Sequence, residues 1–405
     1  MKVHQAFRYE LDPNNKQRTL LAKSAGVARF AYNWALADRI RRFQENEGKA
    51  KFTTAIEQHR LLNSLKPTQF PWMYEVSKCA SQEALRDCER AFKNFWRARK
   101  QGRHVGFPKF KKKGIHDAFR LTGSIRVTEK GVVLPRIGEV RTKESTKKFK
   151  GRILSATVKR EADRWYVSLS VETERPDLTP IVGPPVGIDL GLKAFATTSD
   201  GDYIEAPKPL RRLLRILRRR SRQHSRKQKG SNNRRKSAMR LARLHRRIRN
   251  IRTDWLHKIT TRLAKTKSVI VIENLSVRRM MANQHLARAI SDAGWSEFRR
   301  MLDYKTKWYG SELRTIDRFA PTSRTCSACG AYHETLTLAD RVFRCRECGA
   351  VLDRDLNAAK NILKLGTESS SGTYTPVEIG GCRPEGQCRS SKQEADTIRQ
   401  VVLNG

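Results

Sequence analysis

Apolar positions recur with a helical period through most of the first hundred residues. Residues 1–10 alternate between polar and apolar and predict an opening strand, after which Asp12 and Pro13 predict a helix cap and a first turn. Apolar residues spaced by three and four then predict three helices, at residues 13–43, 54–65 and 77–100. We expect these helices to form a bundle inserted after the first strand.

The pattern changes to short alternating segments beyond residue 102. Strand-length segments lie at residues 119–122, 125–128, 132–135, 139–142, 150–160 and 165–174. In the last of them, Trp165, Val167 and Leu169 alternate with polar residues, which is typical of a half-buried strand. Repeated short strands separated by turn residues predict a small β-barrel. Four prolines within residues 176–185 then predict a linker.

A region of mixed strands and helices follows the linker. Residues 186–191 begin a strand that 193–198 continue in the same sheet, and residues 268–275 form an apolar run typical of a strand buried on both faces. Other segments predict two helices on either side of a turn at 230–233, a helix at 296–309, a strand at 312–319 and a helix at 354–364. Residues 367–405 are Ser/Gly-rich and irregular, and we expect a weakly ordered tail.

The charge of the chain indicates a polyanionic partner. Lys and Arg total 84 against 40 Asp and Glu, a formal net charge of +44. Residues 208–249 hold nineteen Lys or Arg and no acid, so the helices predicted there would repel each other strongly without a polyanion. A solvated charged face is the alternative. We favour nucleic acid, and we expect its phosphates to contact basic positions on these helices: Arg218, Arg219, Arg222, Arg246 and Arg247.

Membrane association and secretion are not expected. No stretch approaches the roughly 20 apolar residues that a membrane span requires. The first eleven residues also lack the apolar core of a signal peptide. The sequence therefore predicts a cytoplasmic protein with no membrane partner.

Four acids stand in surroundings where a carboxylate is costly. Asp189 lies within a run of small and apolar residues, Glu273 ends a buried strand, and Asp353 and Asp355 begin a predicted helix. Buried carboxylates that converge repel one another unless divalent cations lie between them. Mg²⁺ or Mn²⁺ held in this way can support hydrolysis of a phosphodiester. Each acid alone could have a structural role, and the spacing does not distinguish Asp353 from Asp355 as a ligand.

The cysteines indicate a second metal. Cys326 and Cys329 form one close pair, Cys345 and Cys348 form another, and fifteen residues separate the pairs. This is the spacing of a four-thiolate zinc site, which leaves no open coordination position and is therefore structural. A glycine follows each pair and allows the tight turn that points backbone N–H groups at sulfur.

Taken together, these segments resemble the TnpB family. TnpB proteins are transposon-encoded RNA-guided nucleases, similar to the ancestor of type V CRISPR effectors. The resemblance covers roughly residues 1–365. It rests on residues 187–191 (GIDLG), 270–275 (IVIENL), the two cysteine pairs, 353–361 (DRDLNAAKN), 290–295 (ISDAGW, similar to the family's lid) and 106–111 (GFPKFK).

The resemblance implies an α/β multidomain protein. It predicts a RuvC-like nuclease domain of RNase H type at residues 181–320 and 350–366, with a zinc ribbon inserted at 321–349. It also predicts a β-barrel wedge domain at residues 1–10 and 103–180, with a helical recognition domain inserted at 11–102. Residues 367–405 would form a disordered tail.

The resemblance also implies an activity. A guide RNA from the transposon end would pair with one strand of double-stranded DNA, which the protein would cut beside a short adjacent motif by two-metal-ion hydrolysis. Asp189, Glu273 and the second acid of the pair, Asp355, would hold the catalytic metals. Lys78 and Gln82 would face the adjacent motif.

Two other activities use the same features. A transposase could join DNA strands with the same carboxylates. An RNA-binding regulator could occupy DNA without cutting it, although the intact set of acids argues against that alternative.

Overall fold

The structure is a computed structural model that describes residues 2–46, 53–147, 149–174, 179–334, 336 and 340–368. The chain divides between residues 175 and 176 into two compact units, which are treated separately below. The predicted tail at 367–405 lies outside the described residues except for its first two, which end a helix.

The first unit begins with a strand and three helices. They are β1 (Lys2–Asp12), α1 (Asn15–Glu45), α2 (Ala55–Gln69) and α3 (Lys78–Lys100), with a short 3₁₀ helix (Pro71–Glu75) between the last two. The predicted cap at Asp12 is wrong, because this residue still pairs with Arg141 in the sheet. Asn14 caps α1 instead: its Oδ1 accepts from the Gln17 N–H at 2.9 Å, and Gln17 Oε1 accepts from the Asn14 N–H at 3.0 Å.

Six further strands complete an antiparallel sheet in this unit. They are β2 (Ala118–Leu121), β3 (Arg126–Val127), β4 (Gly131–Leu134), β5 (Gly138–Thr142), β6 (Arg152–Glu161) and β7 (Arg164–Glu174). Hydrogen bonds connect the strands in the order β2-β6-β7-β1-β5-β4-β3. Only four residues join the two end strands, so the Cα atoms of Leu121 and Arg126 lie at most about 18 Å apart. The sheet must therefore curl strongly. Its closure into a barrel stays a prediction.

An apolar stripe on α3 contributes to the core of the first unit. Leu85, Cys88, Phe92 and Phe95 follow the helical period, and all four are buried. The Phe107 ring packs edge-on against both phenylalanines, with centroid distances of 5.4 and 5.5 Å. The stripe thereby anchors the irregular segment that leads from the helices into the sheet.

The second unit contains a five-stranded mixed sheet. Its strands are β8 (Val186–Leu190), β9 (Ala196–Thr198), β10 (Tyr203–Ile204), β11 (Val269–Glu273) and β12 (Glu312–Ile316). The order is β10-β9-β8-β11-β12, in which β9 and β10 run antiparallel and β11 runs parallel to both β8 and β12. Ile188 pairs with Ile272, so β8 and β11 end side by side at one edge. That edge is where α/β sheets bind ligands.

Among the described residues, six helices belong to this unit. They are α4 (Pro209–Ser225), α5 (Asn232–Thr266), α6 (Val277–Met280), α7 (Ala287–Ala293), α8 (Trp295–Tyr309) and α9 (Arg354–Glu368). The core contains Phe195, whose ring packs edge-on against Trp255 and Phe298. Among the described residues, no helix combines the length and hydropathy that a membrane span needs.

A glycine on β8 allows α9 to lie directly on the sheet. A Cβ atom at Gly187 would lie 2.2 Å from the Ala359 carbonyl oxygen and 2.6 Å from the Leu363 nitrogen, both on α9. Any side chain at residue 187 would therefore push the helix away. This close approach brings the first turn of α9 to the edge at which β8 and β11 end.

A two-stranded ribbon leads into α9. Strands β13 (Val342–Arg344) and β14 (Val351–Asp353) pair antiparallel, and α9 begins at the residue after β14. Phe343 is fully buried between Cys326 and Cys345 in a small separate core. The ribbon and the helix therefore form one continuous element.

Candidate metal centres and nucleic-acid surface

Three of the acids lie on neighbouring elements of the second unit. Asp189 is the fourth residue of β8, and Glu273 is the last residue of β11, each one step beyond the paired Ile188 and Ile272. Asp355 is the second residue of α9. Two adjacent strand ends and one helix start therefore present these acids at a single edge of the sheet.

The electrostatics of the acids show that they influence one another. Burial, together with the negative charges of Glu273 and Asp355, raises the pKa of Asp189 to about 7, although Arg354 acts in the opposite direction. Burial also raises the pKa of Glu273, and a hydrogen bond from the Thr322 hydroxyl partly offsets this rise. A cation between these carboxylates would relieve the cost of ionising them.

The structure gives Asp353 and Asp355 different environments. Asp353 Oδ1 accepts from the backbone N–H groups of Asp355 at 2.9 Å and Leu356 at 3.2 Å, so it caps α9. Burial raises the pKa of Tyr203, and the nearby negative charges of Asp353 and Asp355 add to this rise. Asp355 instead pairs with Arg354 at 3.3 Å. Asp353 therefore has a structural role as a cap, and the role of Asp355 as the third acid of the site stays a prediction.

The carboxylates do not converge on one point. Within the described part of the chain, only the cysteine cluster brings three or more ligand atoms of His, Cys, Asp or Glu to within 4.8 Å of one another. The three acids therefore share one sheet edge without forming a compact ligand cluster. Their oxygen atoms are the type of donor that Mg²⁺ or Mn²⁺ prefers.

The four predicted cysteines form the second centre. The Sγ atoms of Cys326 and Cys348 lie 3.7 Å apart, and those of Cys329 and Cys345 lie 3.6 Å apart. Four thiolates placed tetrahedrally at about 2.3 Å from one zinc ion would stand about 3.8 Å apart. The cluster is therefore compatible with a closed zinc ribbon.

Backbone donors stabilise thiolates in this cluster. Hydrogen bonds from the backbone N–H groups of Cys348 and Glu347, with another from His333, lower the pKa of Cys345 to about 6. Gly330 and Gly349 follow the two pairs with φ of 81° and 70°, a left-handed conformation that favours glycine. Both turns therefore have the backbone form that the sequence predicts.

The basic helices present arginines to solvent. Arg218, Arg219 and Arg222 are exposed and line a groove on α4 with a volume of about 960 Å³. On α5, Arg247 is exposed and Arg246 is half-buried. The exposed arginines are accessible to a nucleic-acid backbone.

Two candidate DNA-contacting residues lie in the first unit. Lys78 is exposed at the first position of α3, and Gln82 is half-buried one turn later on the same face. Their contact with an adjacent DNA motif stays a prediction.

Sequence reasoning missed three polar residues around the acids. Thr322 donates to Glu273, while Asn357 and Asn361 are buried on α9 and bond to the turn that carries Thr322. The two asparagines stand four residues apart, on one face of a helix. The sequence shows this shared face, but it does not show that the face lies beside the acids.

Three family models match the chain. A family described as "Probable transposase" matches residues 168–284, and one described as "Cas12f1-like, TNB domain" matches residues 295–362. A "Helix-turn-helix domain" model matches residues 1–49, where the described residues form one strand and one long helix.

Similar proteins extend over nearly the whole chain. A protein of Streptomyces pristinaespiralis named as an RNA-guided DNA endonuclease is 38% identical over 406 residues, covering 98% of this chain and 96% of its own. The protein of Escherichia coli K12 named as the RNA-guided DNA endonuclease InsQ is 35% identical over 384 residues, covering 90% and 93% respectively. The TnpB-like protein L79 of Acanthamoeba polyphaga mimivirus is 32% identical over 132 residues, covering 31% of this chain and 25% of its own.

A solved structure has a similar fold. The protein in a complex of Cas12f1 with guide RNA and target DNA superimposes with a TM-score of 0.51 at 14% identity, covering 89% of this chain and 98% of that one. The similarity at this identity concerns the fold. Together with the relatives that match almost end to end, it shows that the chain belongs to the TnpB family of RNA-guided DNA endonucleases.

Proposed function

We propose that this protein cuts double-stranded DNA at sites selected by a bound guide RNA, using divalent cations held by Asp189, Glu273 and Asp355. The observation that carries the proposal is the meeting of these acids at one sheet edge in a chain of net charge +44. Partly buried carboxylates that repel one another are costly to ionise unless a cation lies between them.

The residues of the site have separable tasks. When bound, Mg²⁺ or Mn²⁺ supplies an activated water and stabilises the leaving oxygen of a phosphodiester. Strands β8 and β11 hold Asp189 and Glu273 on a rigid sheet, and α9 presents Asp355 beside Arg354. With a pKa of about 7, Asp189 is partly protonated at neutral pH and releases that proton when its carboxylate binds a cation.

The remaining centres support this chemistry. Cys326, Cys329, Cys345 and Cys348 hold zinc as a structural ion. Residues 181–320 and 350–366 form the RuvC-like domain of RNase H type, around a zinc ribbon at 321–349. Residues 1–10 and 103–180 form the wedge barrel, and 11–102 form the helical recognition domain. The sheet order of the second unit and the fold shared with the Cas12f1 protein support these assignments.

Nucleic-acid recognition is divided between the basic helices and α3. The exposed arginines of α4 and α5, with Arg246, contact phosphates of the guide RNA or of its duplex with DNA. Contacts with phosphates do not depend on the base sequence of the nucleic acid. Lys78 and Gln82 face the short motif beside the target. The guide RNA comes from the transposon end.

The direct test begins with the RNA that the cell supplies. The protein is purified with its bound RNA, the RNA is sequenced, and a matching duplex flanked by randomised bases is offered with Mg²⁺ or with EDTA. We expect cleavage that needs Mg²⁺, a matching guide and a defined flanking motif. Cleavage that ignores the guide would contradict the proposal.

The same experiment separates the two alternatives. Joined strands from a transposon-end substrate would indicate a transposase, an activity that one matched family description names. Binding in EDTA without cleavage on addition of Mg²⁺ would indicate a non-cutting regulator.

A further inference from the structure

A buried series of hydrogen bonds connects Glu273 to α9 through the turn that begins the zinc ribbon. The Thr322 hydroxyl donates to Glu273 Oε1 at 2.9 Å. The Thr322 carbonyl oxygen accepts from Asn361 Nδ2 at 2.8 Å. Thr322 and Asn361 are only 6% and 5% exposed, so water does not compete for these bonds.

The same helix holds the first cysteine turn. Asn361 Nδ2 also donates to the Thr325 carbonyl at 2.6 Å, and Asn357 Nδ2 donates to the same oxygen at 2.7 Å. Asn357 Oδ1 accepts from the Ser327 N–H at 2.9 Å, directly after Cys326. Two asparagines on α9 therefore fix the path of the chain from Thr322 to the first zinc ligand.

The hydrogen bond from the Thr322 hydroxyl restricts the orientation of the Glu273 carboxylate. A donor fixed on one oxygen of Glu273 sets the rotation of the carboxylate and leaves the second oxygen for another partner. Groups that orient a metal ligand in this way change metal affinity or activity by about 10–100-fold when they are removed. The backbone of Thr322 is held on two sides: its carbonyl oxygen accepts from Asn361, and its N–H donates to the Ala320 carbonyl at 2.8 Å.

We propose that Thr322 is a positioning residue that orients Glu273 for metal binding, and that Asn361 holds Thr322 in place. The inference rests on the proposed function, because it assumes that Glu273 is a metal ligand. The proposal also gives the zinc ribbon a role beyond its own fold. The turn that leads to Cys326 holds the Thr322 hydroxyl that donates to Glu273.

The test compares two threonines of one turn. Thr322→Val removes the hydroxyl that reaches Glu273. The control Thr325→Val removes a hydroxyl that donates to the Pro321 carbonyl at 2.9 Å. The RNA-loaded full chain is assayed for the Mg²⁺ concentration that gives half-maximal cleavage. We expect Thr322→Val to raise this concentration about 10-fold or more, whereas Thr325→Val and Thr322→Ser stay close to wild type.

A second readout does not depend on cleavage. Mn²⁺ binding to the RNA-free, zinc-loaded full chain is followed by the loss of the free-ion EPR signal, and Asp189→Ala defines the background. We expect weaker Mn²⁺ binding by Thr322→Val with unchanged zinc content and thermal midpoint. Equal metal dependence of Thr322→Val and Thr325→Val would overturn the proposal, as would a loss of cleavage with metal binding unchanged.

The substitution Asn361→Leu removes the amide that donates to the Thr322 carbonyl, and it leaves Thr322 itself unchanged. We expect one zinc per chain and a raised Mg²⁺ requirement, and an unchanged requirement would contradict the assigned role of Asn361. Failure of the proposed function itself would look different. In that case Asp189→Ala would bind Mn²⁺ as the wild type does, whatever the effect of Thr322→Val.

Discussion

Two acids separated by a single residue have different partners in this protein. The Asp353 carboxylate caps α9 by accepting two backbone N–H groups, whereas Asp355 pairs with Arg354 and its charge acts on Asp189. A capping residue needs only a side-chain oxygen, which asparagine also provides. A carboxylate that offsets the charge of a divalent cation loses this ability when it is replaced by asparagine.

The two environments predict opposite responses to one substitution. Asp353→Asn keeps a capping oxygen and should preserve both stability and cleavage. Asp355→Asn should reduce cleavage about 100-fold or more, because metal-ligand charge is lost at the reacting phosphate. Single-turnover cleavage and thermal unfolding of the two variants provide the comparison, and equal loss of cleavage in both would contradict the assignment.

A buried lysine predicts how stability depends on pH. Lys305 is 4% exposed, and its ammonium donates to the hydroxyls of Thr260 and Thr261 and to the His257 carbonyl, each at 2.7 Å. Burial lowers the pKa of Lys305 to about 8. Between this value and the ordinary value near 10.4, the unfolded chain holds a proton that the folded chain has released.

The cost of burying the ammonium is therefore present below pH 8 and disappears as the pH rises toward 10.4. The free energy of unfolding of the wild type should increase over this window relative to Lys305→Met, which has no titrating group at that position. Denaturant unfolding of both proteins at several pH values measures the difference. A difference independent of pH would show that the lysine keeps its proton when folded.

At the scale of elements, the contact between α9 and β8 brings the parts of the site together. This contact is possible because Gly187 has no side chain. A Cβ atom at this position would lie 2.2 Å from a backbone oxygen of α9. A backbone atom in the middle of a packed helix cannot move aside as the end of a side chain can.

Gly187→Ala should therefore destabilise the second unit by about 1–3 kcal/mol and displace Asp355 from the sheet edge. Gly26→Ala is a useful contrast, because its nearest neighbour is the Arg29 guanidinium at 3.9 Å within helix α1. Alanine should stabilise that helix by about 0.5–1 kcal/mol. Denaturant unfolding of the full chain measures both changes, and a neutral effect at Gly187 would mean that α9 can shift freely.

The elements also show what the sequence could and could not predict. Helix α3 begins one residue after Ser77 and ends at Lys100, close to the predicted limits, because a cap and an apolar stripe are both local signals. The sequence does not distinguish Asp12 from Asn14 as the cap of α1, because both residue types are good caps. The pairing of Asp12 with a neighbouring strand leaves Asn14 as the cap. Such pairing is a tertiary feature.

The same reasoning applies to the site. The acids and cysteines stand out in the sequence because each is chemically unusual where it lies. Thr322 and the two α9 asparagines have partners 30 to 49 residues away, so no local pattern connects them to the acids. The different environments of Asp353 and Asp355 likewise depend on the geometry of the helix start.

For the whole molecule, charge determines which partners it can bind. A net charge of +44 supports binding through phosphates, and such binding weakens linearly with the logarithm of salt concentration. Exposed arginines of α4 line one basic groove.

Replacing Arg218, Arg219 and Arg222 with Gln should weaken guide-RNA binding and flatten its salt dependence by about 2–3 in the log–log slope. A matched control removes three charges that already pair with acids on their own helices. It is the triple Gln variant of Lys258, Arg300 and Lys307. Filter binding over a range of salt concentrations measures both slopes. Equal slopes would show that the α4 groove does not contact phosphate.

The central claim is that Asp189 holds a catalytic metal in an RNA-guided nuclease. The most direct measurement is cleavage of a guide-matched duplex by RNA-loaded wild type and Asp189→Ala, with guide and target binding measured in parallel. The claim predicts that the variant binds both nucleic acids normally and cuts at least about 100-fold more slowly at every Mg²⁺ concentration. Cleavage by Asp189→Ala at the wild-type rate would contradict it.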